Sequence, residues 1–125
     1  FSLIAPSEIL PAVNQGILAV QFLQSRTDVH QLVSQLVNKD TEACWRAERE
    51  FVAVLEADCD SALSVFGEVH GELLELSARV LSHGGEACIE EKRILKVEKS
   101  QELGRLLGEN FLAKGAYAIL HADLM

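Results

Sequence analysis

Three cysteines, two prolines, one tryptophan and one tyrosine in 125 residues rule out several function classes at once. The cysteines, Cys44, Cys59 and Cys88, are odd in number and show no C-x-x-C spacing. That argues against a disulfide framework and a cysteine zinc site, and for a reducing, cytoplasmic compartment. His30, His70, His83 and His121 stand apart from one another and from the cysteines, so no metal site is expected. No apolar stretch nears the roughly 18 residues that a bilayer crossing requires, so no membrane span is expected. Positive charge is also scarce: 11 Lys and Arg face 19 Asp and Glu, a formal charge of −8. A surface of that sign repels phosphate backbones, and nucleic acid is not expected as a partner. Phe1-Ser2-Leu3-Ile4 lacks the basic segment of a signal peptide and reads as the interior of a longer chain.

What is present is an ordinary globular balance, 49% hydrophobic and 24% charged, too apolar for a disordered segment. Pro6 and Pro11 bracket a short helical turn at 7–10, and Asn14-Gln15-Gly16 is a turn signal. Ile17-Leu18-Ala19-Val20-Gln21-Phe22 is nearly continuous in its apolar character and predicts a strand buried on both faces. No partner strand lies nearby, so its sheet is expected to come from residues outside this chain. Val29, Leu32, Val33, Leu36 and Val37 then recur at helical spacing and predict an amphipathic helix over 28–37. Asp40 or Thr41 is the expected cap of a second helix over 41–56, with Ala43, Ala47, Phe51, Val54 and Leu55 on its apolar side. Cys44 falls within that periodicity and reads as a small core residue. The run Arg46, Glu48, Arg49, Glu50 reads as a solvated face with an Arg46–Glu50 pair.

From Ala62 the period changes to two. Strands are predicted over 62–69, from Leu74 to Val80, and from Ala87 to about Leu95, with turns at His70-Gly71 and His83-Gly84-Gly85-Glu86. A helix over 99–114 follows, with Leu103, Leu106, Leu107 and Phe111 on one stripe, Gly115 at its end and a further helical turn to His121. The expected fold class is therefore α+β: a three-stranded antiparallel meander whose apolar face is covered by helices. Cys59, in the loop Leu55-Glu56-Ala57-Asp58-Cys59-Asp60-Ser61, lies outside every periodic stretch. By type and place it suits a reactive handle, a redox-sensing thiol, or an incidental surface thiol on a non-catalytic interaction module. Its acidic neighbours disfavour the thiolate that a sensor needs.

Three stretches together carry a family resemblance. Leu10-Pro11-Ala12-Val13-Asn14-Gln15-Gly16-Ile17-Leu18-Ala19-Val20 resembles the LPAxGQGxLxxE segment of porphobilinogen deaminases (hydroxymethylbilane synthases). Ala47-Glu48-Arg49-Glu50-Phe51 followed by Leu55-Glu56-Ala57-Asp58-Cys59 is similar to their AERAFL…LEGGC segment, and Leu112 to Leu120 to their LLxxGAxxIL ending. The resemblance implies that 25–125 is the third domain and 1–24 the returning C-terminal segment of the first. It implies a dipyrromethane cofactor on Cys59 through a thioether, with Gln15 and Gly16 bordering the cofactor and substrate cleft. A thiolate suits that bond, because a deaminated pyrrole is a soft carbon electrophile. The implied activity joins four porphobilinogen units with loss of ammonia in heme biosynthesis, in a monomeric parent enzyme. The implied catalytic aspartate and substrate-binding arginines lie in upstream domains, so no catalytic residue is assigned within this chain, and the chain alone is expected to be inactive. Ala57 and Asp58 replace the family's two glycines, and Asp58 and Asp60 place negative charge on either side of the anchoring sulfur.

Overall fold

The computed structural model describes residues 1–122. Helices α1 (Thr27–Ser34) and α2 (Lys39–Val54) precede strands β1 (Leu63–His70), β2 (Leu73–Leu81) and β3 (Cys88–Lys96); a short 3-10 turn then leads into α3 (Ser100–Ala113) and α4 (Ala116–Leu120). The strands form one antiparallel sheet in the order β1-β2-β3, as the alternating pattern predicts. His70 pairs with Leu73 across the two-residue loop Gly71-Glu72, where Gly71 supplies a φ of +63°. That loop sets the register, so Val65, Leu74, Leu76, Ala78 and Val80 share one buried face.

The helices α2 and α3 cover that face. Phe51 and Phe111 meet edge to face at 5.1 Å, both fully buried, and Ala47, Leu55, Leu103 and Leu107 fill the space around them. Glycines make this crossing close. A Cβ on Gly104 would run into the Ala47 carbonyl and come within 2.9 Å of the Glu50 Cβ; one on Gly108 would lie 2.8 Å from Val54. Each glycine costs about 1 kcal/mol of helix propensity, so their presence in α3 marks packing rather than local preference.

Several expectations need correction. The strand expected over 17–22 joins no ladder among the described residues, and its expected sheet lies outside this chain, so the corrections concern other elements. Helix α1 ends at Ser34 rather than 37 and buries none of its residues; Leu32 and Leu36 lie exposed. The cap of α2 is neither Asp40 nor Thr41 but Asn38, whose Oδ1 accepts the Thr41 N–H at 2.9 Å. Arg46 pairs with Glu42 at 2.7 Å, one turn back, instead of with Glu50. Glu48 is no part of a solvated face: it is 3% exposed.

Gly104→Ala is expected to cost about 1–3 kcal/mol, lowering the melting midpoint by roughly 4 °C for each kcal/mol in a domain of this size. Arg105→Ala, on the exposed side of the same helix, should stay within about 0.5 kcal/mol of wild type. Thermal melts followed by circular dichroism decide this; a Gly104→Ala midpoint equal to wild type would rule out so close a crossing.

Candidate functional site

The loop that carries Cys59 begins where α2 stops. The Glu56 N–H donates to the Ala53 carbonyl and the Ala57 N–H to the Val52 carbonyl, each at 3.2 Å, with Glu56 at φ +52°. This doubly bonded helix end normally favours glycine at its left-handed position. Here a glutamate takes it, and Val52 and Ala57 each pack against the core.

Four residues then close on themselves. The Asp58 carboxylate accepts the Asp60 N–H at 3.1 Å and the Ser61 hydroxyl at 2.9 Å, while Ser61 Oγ accepts the Asp58 N–H at 3.0 Å. A main-chain bond from Ser61 N–H to the Asp58 carbonyl, 3.2 Å, completes the turn. The Ser61 hydroxyl and then the Asp60 N–H hold the Asp58 carboxyl below the usual aspartate range. Cys59 occupies the tip of this turn with its thiol free and exposed. The flanking charge is therefore present, but one of the two carboxylates is engaged by its own loop.

The other cysteines differ. Cys44 is half-buried against Gly67 of β1, and burial, then the charges of Glu48 and Asp40, push its thiol up to about 11. It stays a protonated packing group at neutral pH. Cys88 is exposed but starts β3, paired with Leu81 in the ladder. Among the described residues, no group of three His, Cys, Asp or Glu side chains could hold a metal ion, and no helix is long and apolar enough to cross a membrane.

Gln15 and Gly16 lie in a tight turn, with Asn14 at φ +57° and Gly16 at φ +82°. Gln15 Oε1 accepts the Ala12 N–H at 2.9 Å. The pair lines a cleft of about 270 Å³ with Thr41, Cys44, Glu48 and Gly67. Cys59 does not line it; the turn bonds to Glu48 within α2, and Cys59 lies past the C-terminal end of that helix. The residues expected to share a cofactor site are thus not brought together by this chain.

The side chain missed from the sequence is Glu48. Its Oε2 accepts the Asn14 N–H at 2.6 Å and its Oε1 the Gly67 N–H at 2.9 Å. Burial raises its pKa and outweighs the two donors, which lower it. The signal was available: Glu48 lies four residues after Cys44 and three before Phe51, on the apolar stripe of α2.

Fold and site together define a class: a three-stranded α+β unit presenting an exposed thiol on a closed turn at the end of its central helix. The family model described as Porphobilinogen deaminase, C-terminal domain, matches residues 42–113. The chain belongs to the porphobilinogen deaminase family and is its C-terminal domain. Relatives named porphobilinogen deaminase include those of Bordetella parapertussis, 33% identical over 99% of this chain, and Methylobacillus flagellatus, 32% identical over 95%. That of Francisella philomiragia is 34% identical over 92% of the chain. The chain spans only 39%, 38% and 38% of these relatives' lengths, respectively.

Glu48 also makes a pH prediction. A carboxyl whose folded pKa lies above its ordinary 4.5 holds more protons in the folded state across that window. Its contribution to stability is present below 4.5 and is lost as pH rises through the raised folded value. The stability difference between wild type and Glu48→Gln, from urea titrations between about pH 4 and 7, should therefore fall as pH rises. A difference independent of pH would contradict the raised value.

Proposed function

We propose that this chain is the cofactor-carrying part of a hydroxymethylbilane synthase, which joins four porphobilinogens head to tail with loss of ammonia in tetrapyrrole and heme biosynthesis. The observation that carries this reading is the exposed Cys59 thiol, at the position where the family's LEGGC-like segment ends in cysteine. In this reading Cys59 holds a dipyrromethane through a thioether.

The anchoring atom fits that group. The thiol is open to solvent, and the turn beneath it is closed by its own hydrogen bonds, so the point of attachment is fixed while what it carries projects outward. A carbon–sulfur bond resists hydrolysis, which a tether kept through several additions requires. When bound, the dipyrromethane supplies the pyrrole carbon to which porphobilinogen units are added. The carboxylates of such a group need cations, and Leu55–Ser61 contains none, only Glu56, Asp58 and Asp60 as charged neighbours. Those cations and the catalytic aspartate are assigned to other domains of the same protein.

Residues 25–125 form the third domain in this reading, and 1–24 return from the first. The exposed Leu18, Val20, Leu23, Leu32 and Leu36 support it, because so many large apolar side chains left in water call for cover. Gln15 and Gly16 would border the pyrrole cleft: the glycine lets the backbone approach a ligand closely, and the amide can meet a carboxylate. The parent enzyme is read as a cytoplasmic monomer.

Intact mass of the full-length protein tests the anchor. A dipyrromethane adduct is expected in wild type, Cys44→Ala and Cys88→Ala, and is expected to vanish in Cys59→Ala. An adduct surviving Cys59→Ala would overturn the assignment. The 125-residue chain alone is expected to consume no porphobilinogen in a colorimetric pyrrole assay; turnover by that chain would mean the catalytic groups lie within it.

A further inference from the structure

We propose that Glu48 is the positioning residue that fastens the Asn14–Gly16 turn to the unit carrying Cys59. One buried carboxylate joins three pieces of the fold: α2, on which it sits; β1, through the Gly67 N–H; and the turn, through the Asn14 N–H. These donors lie 34 and 19 residues away along the chain. The turn's other bonds, Gln15 N–H to the Ala12 carbonyl and Ile17 N–H to the Asn14 carbonyl, both 3.1 Å, only close it on itself. Among the described residues, the bond to Glu48 is the hydrogen bond that reaches from the turn to the helices and sheet.

The turn needs such a fastening. Asn14 holds a left-handed φ of +57°, and its side-chain Oδ1 is buried with no hydrogen bond. Both features cost free energy. Val13 adds apolar contact with the core, which holds the segment near but does not orient the backbone that follows. A carboxylate receiving a main-chain N–H makes a directional, charge-assisted bond, which does orient it. An apolar residue at 48 would fill the same stripe without burying a charge, so retaining the carboxylate makes sense if both donors must be held.

This role rests on the reading of Gln15 and Gly16 as cleft residues, and the test separates the two. In the full-length protein, Glu48→Gln puts an amide nitrogen where one N–H donor needs an acceptor. Amide exchange followed by mass spectrometry should then quicken about tenfold or more over residues 12–17 and stay unchanged over α3. Glu48→Asp, too short to reach both donors, should behave alike and serves if the glutamine variant does not fold. In both, KM for porphobilinogen should rise more than kcat falls. Unchanged exchange at 12–17, or equal acceleration in α3, would overturn the proposal. Gln15→Ala tests the cleft reading by itself: if it leaves KM unaltered, that reading fails and the exchange pattern alone decides for or against Glu48. If Gln15→Ala raises KM while a loosened Glu48 variant does not, the positioning role is overturned.

Discussion

The close approach of α2 and α3 is the constraint on which the rest depends. Two glycines one turn apart, Gly104 and Gly108, let the α2 backbone and Val54 come nearer than any side chain at those positions would allow. The Phe51–Phe111 contact can then form with both rings fully buried. With the helices locked as a pair, their shared apolar face meets the sheet as one surface, and the inward residues of β2 are all sealed. Helix packing of this kind is insensitive to what the exposed faces carry, which suits a unit with an excess of 19 acidic over 11 basic residues.

Because α2 cannot shift along α3, its C-terminal end is a fixed point. The doubly bonded helix end at Glu56 and Ala57, and the Asp58–Ser61 turn, carry that rigidity out to Cys59 within a few residues. The sulfur thus stands in solvent on a turn closed by its own hydrogen bonds. Near the middle of the same helix, Glu48 collects two main-chain donors from distant parts of the chain. One helix therefore presents a thiol past its end and orders a glutamine–glycine turn along its flank. Among the described residues nothing joins the two. In the porphobilinogen deaminase reading that task falls to the portion of the relatives beyond the two fifths spanned here.

The main elements were legible because periodicity reports directly on which face is buried. Leu74, Leu76, Ala78 and Val80 alternate, and Leu103, Leu107 and Phe111 recur at helical spacing, so strand and helix could be told apart without knowing their neighbours. The Asn14 turn and the Gly115 helix end were equally readable, since left-handed backbone favours those residue types. The same logic reaches less far where burial depends on a partner. Ile17 to Phe22 has strand character, yet no strand forms without a ladder to join. Helix α1 has its apolar stripe, yet among the described residues nothing buries it. Glu48 differs: its charge predicts exposure, whereas its place on the α2 stripe points it inward, where it is buried.

By itself, the sequence determined the fold class, the order of the elements and the presence of one cysteine outside any periodic stretch, because these follow from local spacing and turn chemistry. Tertiary structure alone decided that Gly104 and Gly108 serve a helix crossing, that Asn38 rather than its neighbours caps α2, and which distant main-chain donors Glu48 receives. It also decided that Cys44 is held as a protonated thiol while Cys59 stands free. The physical reason is the same throughout. Spacing along a chain states which side of an element shuns water, whereas proton affinity, hydrogen-bond partnership and reach depend on which distant groups arrive there.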